Sequence, residues 1–216
     1  MKLKSFGCSF IFGTDLHDDS RDKPKATPSN YTWPALLAKQ HGLTYTCYAR
    51  PGAGNLQILE RLLNQLADAE TALYVIGWTW IDRFDYTGTD IRHDWRTIMP
   101  VDTDDLAKTY YRDIHSEYRD KLTTLMNVKL ALDALTSSGN RFIMTYMDDL
   151  MFDQRWNTSP AVSELQRYCE PHMTRFDRKS FLEYSKEKGF EISQTLHPLE
   201  AAHESAAELI HSYNLV

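Results

Sequence analysis

The sequence predicts a three-layer α/β/α sandwich around a central parallel sheet, and three observations lead there. Short apolar runs ending at glycine or a turn alternate with stretches of helical periodicity. Residues 72–77 are apolar throughout, as a strand covered on both faces requires. The turns between strands and helices are short, and right-handed crossovers then place helices on both sides of the sheet.

Residues 2–7 alternate polar and apolar up to Gly7, which reads as a first strand ending where the backbone must turn sharply. Residues 14–30 are polar and carry Pro24 and Pro28, so they read as a loop. Trp33-Pro34 opens a short helix to about Gln40, closed by Gly42, and residues 43–48 form a second strand. The turn Pro51-Gly52-Ala53-Gly54-Asn55 precedes a helix with Ile58, Leu59, Leu62, Leu63 and Leu66 on one face, which Asn55 is placed to cap.

Strand three, residues 72–77, is followed by polar, irregular residues 85–103 and by a long helix over 104–137 carrying Leu122, Leu125, Met126, Val128, Leu132 and Leu135. Residues 141–146 make a fourth strand. A helix over about 180–188 and a last one from Leu199 to about Tyr213 complete the chain. The unpatterned segments 14–30, 85–103 and 147–178 are expected to be loop or lid insertions in a single domain spanning 1–216.

Composition narrows the functional classes. Apolar residues make up 42% and charged residues 25%, the balance of a globular chain. The net charge is −6 with the basic residues scattered, which lacks the footprint of a nucleic-acid partner. No segment has the apolar length of a signal peptide or membrane span, and Cys8, Cys47 and Cys169 have neither disulfide nor zinc spacing, so a cytoplasmic setting is expected.

Acyl transfer needs a nucleophilic hydroxyl, a base, and donors for the oxyanion. Ser9, in Gly7-Cys8-Ser9-Phe10 directly after strand one, is placed either to cap a short helix or to attack a carbonyl. His197, in Leu196-His197-Pro198, sits in the loop before the last helix because Pro198 suits that helix's first turn. Cys8 is expected to face the core while Ser9 faces outward.

Four blocks, Gly7-Cys8-Ser9-Phe10, Pro51-Gly52-Ala53-Gly54-Asn55, Ile76-Gly77-Trp78-Thr79 and His197-Pro198, resemble in order and placement the blocks of SGNH (GDSL-like) hydrolases, in forms similar to bacterial and bacteriophage members. The resemblance implies a flavodoxin-like sheet and a serine esterase or deacylase acting on a small-molecule or carbohydrate acyl ester, in the host cytoplasm if the chain is bacteriophage-encoded. It makes Ser9 the nucleophile and His197 the general base, with the Ser9 and Gly52 N–H groups in the oxyanion hole. Thr79 stands where the family has an asparagine donor, and Asn55 is the alternative amide.

The family's acid lies three residues before the histidine, where this chain has Gln194. The resemblance therefore implies a Ser9–His197 dyad, with Gln194, Glu191 or the pair Asp148-Asp149 as the orienting group. Trp78, Trp80, Arg83 and Phe84 follow strand three and either line a substrate pocket or fill the core. His203 is expected to pack or hydrogen-bond within the last helix. No cofactor is expected, and a metal site built on His197 and His203 lacks a third ligand at diagnostic spacing. Two other readings share these residues: a noncatalytic binding protein of the same fold, and an acyltransferase using the same Ser-His pair.

Overall fold

Pleating sends successive side chains of a strand to opposite faces, and this separates the core into two halves. In β3 (Ala72–Trp78), Leu73 and Val75 join one buried cluster, while Tyr74, Ile76 and Trp78 join the other. The same division places Leu3 and Phe6 of β1 (Lys2–Gly7) on opposite sides. Parallel pairing gives the order β2-β1-β3-β6, with β2 at Thr44–Cys47 and β6 at Arg141–Tyr146. The computed structural model describes residues 1–20, 26–88 and 94–216.

One layer comprises α1 (Ser9–Phe12), α2 (Trp33–Gln40), α7 (Phe181–Glu187) and α8 (Glu200–Ser212), which meet Leu3, Val75 and Ile143. The other comprises α3 (Asn55–Leu66), α5 (Glu117–Ser138) and α6 (Pro160–Cys169), which meet Phe6, Ile76 and Met144. Within the layers, α2 packs on α8 and α5 on both α3 and α6. The three-layer α/β/α architecture is therefore as the strand and helix pattern predicts.

Three segments differ from the sequence reading. Residues 85–103 are not wholly irregular: β4 (Phe84–Thr87) and β5 (Trp95–Ile98) form an antiparallel pair separate from the main sheet. The helix expected over 104–137 is divided into α4 (Asp105–Thr109), a wide π turn at Tyr110–Ile114, and α5. The break follows from Ser116, which leaves helical geometry at φ −149° and caps α5 by accepting from the Arg119 N–H. The third segment, 147–178, contains α6, opened by Ser159-Pro160. Pro24 of the expected first loop and residues 89–93 of the second lie outside the described residues.

Two glycines fix the site end of the sheet. Gly7 and Gly77 are paired neighbours, and a Cβ on either would lie 2.5 Å or 2.7 Å from Cγ1 of Ile11. Their missing side chains let α1 sit directly on the strand ends. Ser9 begins α1, so this close approach sets its position.

Candidate active site

In an open parallel sheet the crevice at the carboxyl ends of the strands collects the loops that follow them. Here those loops carry Ser9 after β1, Gly52 after β2, Trp80 and Arg83 after β3, and Met147 after β6, and all five line one cavity of about 760 Å³. That volume lies within the usual range for small-molecule sites. Phe10, Met99, Pro100, Val101, Leu182 and Leu196 supply much of its apolar wall, while Asp82, Asp149, Glu183 and Lys186 supply charge.

Ser9 and His197 meet although 188 residues separate them. The Ser9 Oγ–H faces His197 Nε2 at 2.8 Å. His197 Nδ1 lies 2.9 Å from Oδ2 of Asp15, so a continuous chain runs from serine through imidazole to carboxylate. The two ends of the imidazole are thereby distinguished: Nδ1–H donates to the carboxylate and Nε2 accepts from the hydroxyl.

Asp15 sits three residues beyond the end of α1, in left-handed backbone at φ 68°, with its N–H donating to Asp19. Its Oδ2 also accepts from Ser193 Oγ at 2.6 Å and from the Thr195 hydroxyl. Burial opposes the charge, but these hydroxyls and His197 outweigh it and hold the carboxyl well below the ordinary carboxylate range. Ser193 in turn donates its N–H to the His197 carbonyl and accepts the His197 N–H on its Oγ, so the loop before α8 is folded around the acid.

The orienting groups proposed from sequence are corrected by this geometry. Gln194 and Glu191 are exposed, and neither hydrogen-bonds to His197. Asp148 caps a turn instead, accepting from the Ile81 N–H at 2.9 Å and the Leu150 N–H at 3.0 Å. Asp149 lines the cavity but does not reach the imidazole. Asp15 gave no periodic signal; its one sequence cue is a carboxylate six residues after Ser9, in a polar loop that follows the short helix.

The oxyanion candidates also divide. Neither the Ser9 nor the Gly52 N–H donates to an acceptor among the described residues, and both residues line the cavity. Gly52 has φ 78°, a conformation that glycine adopts without strain. Asn55 points away: its Nδ2 donates to the Thr79 carbonyl at 3.1 Å and to Thr124 Oγ1 at 3.2 Å, and its Oδ1 accepts the Thr79 N–H at 2.9 Å. Thr79 is fully buried and does not line the cavity. Nor does Asn55 cap α3 with its side chain, since it is the first residue of that helix and Gly54 is the cap.

Among the aromatic candidates, Trp80 and Arg83 line the cavity, with the guanidinium 4.9 Å above the Trp80 ring. Trp78 is fully buried in the core and Phe84 packs on Tyr110, so neither forms the pocket. Cys8 is buried in the core beside Phe10 and Ile11. The buried His203 accepts the Trp33 N–H at 3.0 Å through Nδ1, and burial, aided by His197, lowers its pKa to about 3. No cluster of three or more metal-binding side chains occurs among the described residues. No helix among them is long and apolar enough to cross a membrane.

No family model matches the chain, and no curated protein sequence matches it. Solved structures do. A lipolytic protein of the G-D-S-L family from Veillonella parvula superposes with a TM-score of 0.53 at 13% identity, covering 98% of this chain and 97% of that one. The psychrotrophic esterase EstA from a Pseudoalteromonas species, solved with monoethylphosphonate as inhibitor, gives 0.53 at 11% identity over 98% and 94% of the two chains. The fold is that of the SGNH hydrolases. A carbohydrate esterase whose active site is described as having divergent catalytic and non-catalytic binding functions shares the SGNH fold at a TM-score of 0.54 and 15% identity, over 99% of this chain and 67% of that one.

Proposed function

We infer that this chain is a serine esterase whose nucleophile is Ser9, whose general base is His197 and whose orienting acid is Asp15. The observation that carries the reading is the hydrogen-bond chain Ser9 Oγ, His197 Nε2, His197 Nδ1, Asp15 Oδ2, in which the acid and the histidine come from positions 182 residues apart in sequence and Ser9 and His197 line the cavity.

The chemistry follows from that order. Ser9 Oγ attacks an ester carbonyl as its proton passes to His197 Nε2, and the carbonyl oxygen becomes an oxyanion facing the Ser9 and Gly52 N–H groups. Collapse releases the alcohol, which takes the proton from Nε2, and leaves an acyl group on Ser9. Water then attacks the acyl carbon, giving a proton to Nε2; the bond to Ser9 Oγ breaks, Oγ takes that proton back from Nε2, and the carboxylic acid leaves. Asp15 keeps the Nδ1–H tautomer and balances the imidazolium formed at each transfer.

The apolar wall and rim charges suit an uncharged acyl group joined to a polar alcohol, including a sugar. The noncatalytic alternative is favoured by one observation: Thr79 and Asn55 supply no side-chain donor to the cavity, which leaves two backbone donors for the oxyanion. A panel of aryl, alkyl and sugar esters of increasing acyl length separates the readings. The esterase reading expects turnover of at least one ester by the wild type and loss of that turnover in Ser9→Ala. Equal turnover by both proteins would remove Ser9 from the reaction.

A further inference from the structure

An oxyanion hole made of backbone N–H groups is only as well placed as the turn that carries them. The turn bearing Gly52 runs from Pro51 into α3, and α3 begins with no side-chain cap of its own. Its first N–H groups are held from outside the helix, by a residue of the antiparallel hairpin. Asp85, on β4 and buried, accepts the Gly54 N–H through Oδ1 at 3.0 Å and the Gln57 N–H through Oδ2 at 3.0 Å. Thr97, across the pair on β5, donates its hydroxyl to the same Oδ1 at 2.7 Å.

Two further contacts tie the same turn to the same segment. Arg83 Nη1 donates to the Ala53 carbonyl at 3.0 Å. A Cβ on Gly54 would lie 2.5 Å from the Asp85 carboxylate, so Gly54 admits the acid at this distance only because it lacks one. The carboxylate thus does what a helix-capping side chain ordinarily does, but from a different element. Beyond β5 the chain continues into Met99, Pro100 and Val101, which line the cavity.

We propose that Asp85 is a positioning residue for the oxyanion hole, whose carboxylate locks the turn carrying Gly52 to the β4–β5 hairpin. The proposal rests on the esterase reading of Ser9. Asp85 touches no substrate; it acts through the placement of Gly52. Misplacing a catalytic donor by about 1 Å costs on the order of 10²-fold in rate, and the loss falls on the transition state, not on ground-state binding.

The test compares Asp85→Asn and Asp85→Ala with wild type on one turned-over ester, with thermal unfolding measured alongside. Asparagine keeps one acceptor oxygen and alanine none, so kcat is expected to fall in the order wild type, Asn, Ala, by about 10²-fold for Ala, with KM within about twofold. Gly54→Ala perturbs the same contact from the other side, pressing a methyl on the carboxylate without removing it. It is expected to show the same kcat-selective loss, and it decides the matter should Asp85→Ala fail to fold. Folded variants with unchanged kcat, or with a raised KM alone, would overturn the proposal. Ser9→Ala separates the two levels: turnover surviving in that variant defeats the esterase reading itself, whereas its loss with unchanged kcat in the Asp85 and Gly54 variants defeats only the positioning role.

Discussion

A histidine that carries a proton from serine to a leaving alcohol spends part of each turnover as an imidazolium, and the group on its far nitrogen decides how easily that charge forms. Asp15 is ionised across the working range because Ser193, Thr195 and His197 hold its carboxyl low against the cost of burial. On the esterase reading, Asp15→Asn retains the bonding shape but presents an amide to Nδ1 and favours the wrong tautomer. The expected result is a fall in kcat of about 10⁴-fold, measured by steady-state hydrolysis, with a fold unchanged by circular dichroism. A fall below about tenfold would return the site to a Ser9–His197 dyad. The hydrogen-bonded pair Ser9 and His197 was legible in the sequence because each member sits beside a structural landmark, a strand end or a proline at a helix start. Asp15 has no such landmark: its partner lies 182 residues away, and only folding brings the two loops together.

At the scale of elements, buried polar side chains hold the helices around the site, and their protonation states have consequences. His203 of α8 accepts the first N–H of α2, and this requires an unprotonated Nδ1. The unfolded chain protonates this histidine near its ordinary value of about 6.5, whereas the folded one resists until about 3. Between those values the unfolded state binds more protons, so stability is lost as pH falls through that window. His203→Leu leaves the Trp33 N–H unpaired and is expected to cost about 1–3 kcal/mol at pH 7.5. Its gap from wild type should narrow at pH 4.5, as urea unfolding at the two pH values would show; a constant gap would mean that His203 does not titrate on unfolding. Asn55 illustrates what local pattern misses. Its place after Gly54 reads as a cap, but the buried Thr79 backbone and Thr124 take its whole amide. The cap then comes from Asp85, on strands only four residues long and too polar to stand out from a loop.

For the whole molecule, the parallel sheet was legible because its strands end at glycines or turns, and because β3 is an apolar run in which the alternation of Leu73, Tyr74, Val75 and Ile76 serves two core halves at once. The helix break at Ser116 and the β4–β5 hairpin were not, since they depend on a capping side chain and on cross-strand pairing, neither of which carries an apolar pattern of its own. Everything proposed for the site converges on one nucleophile at the end of β1. Incubation with a fluorophosphonate, followed by intact-mass measurement and peptide mapping, tests it directly. One adduct, located on Ser9 and missing from Ser9→Ala, is the expected result; an adduct on another residue, or none on a folded protein, would contradict the account.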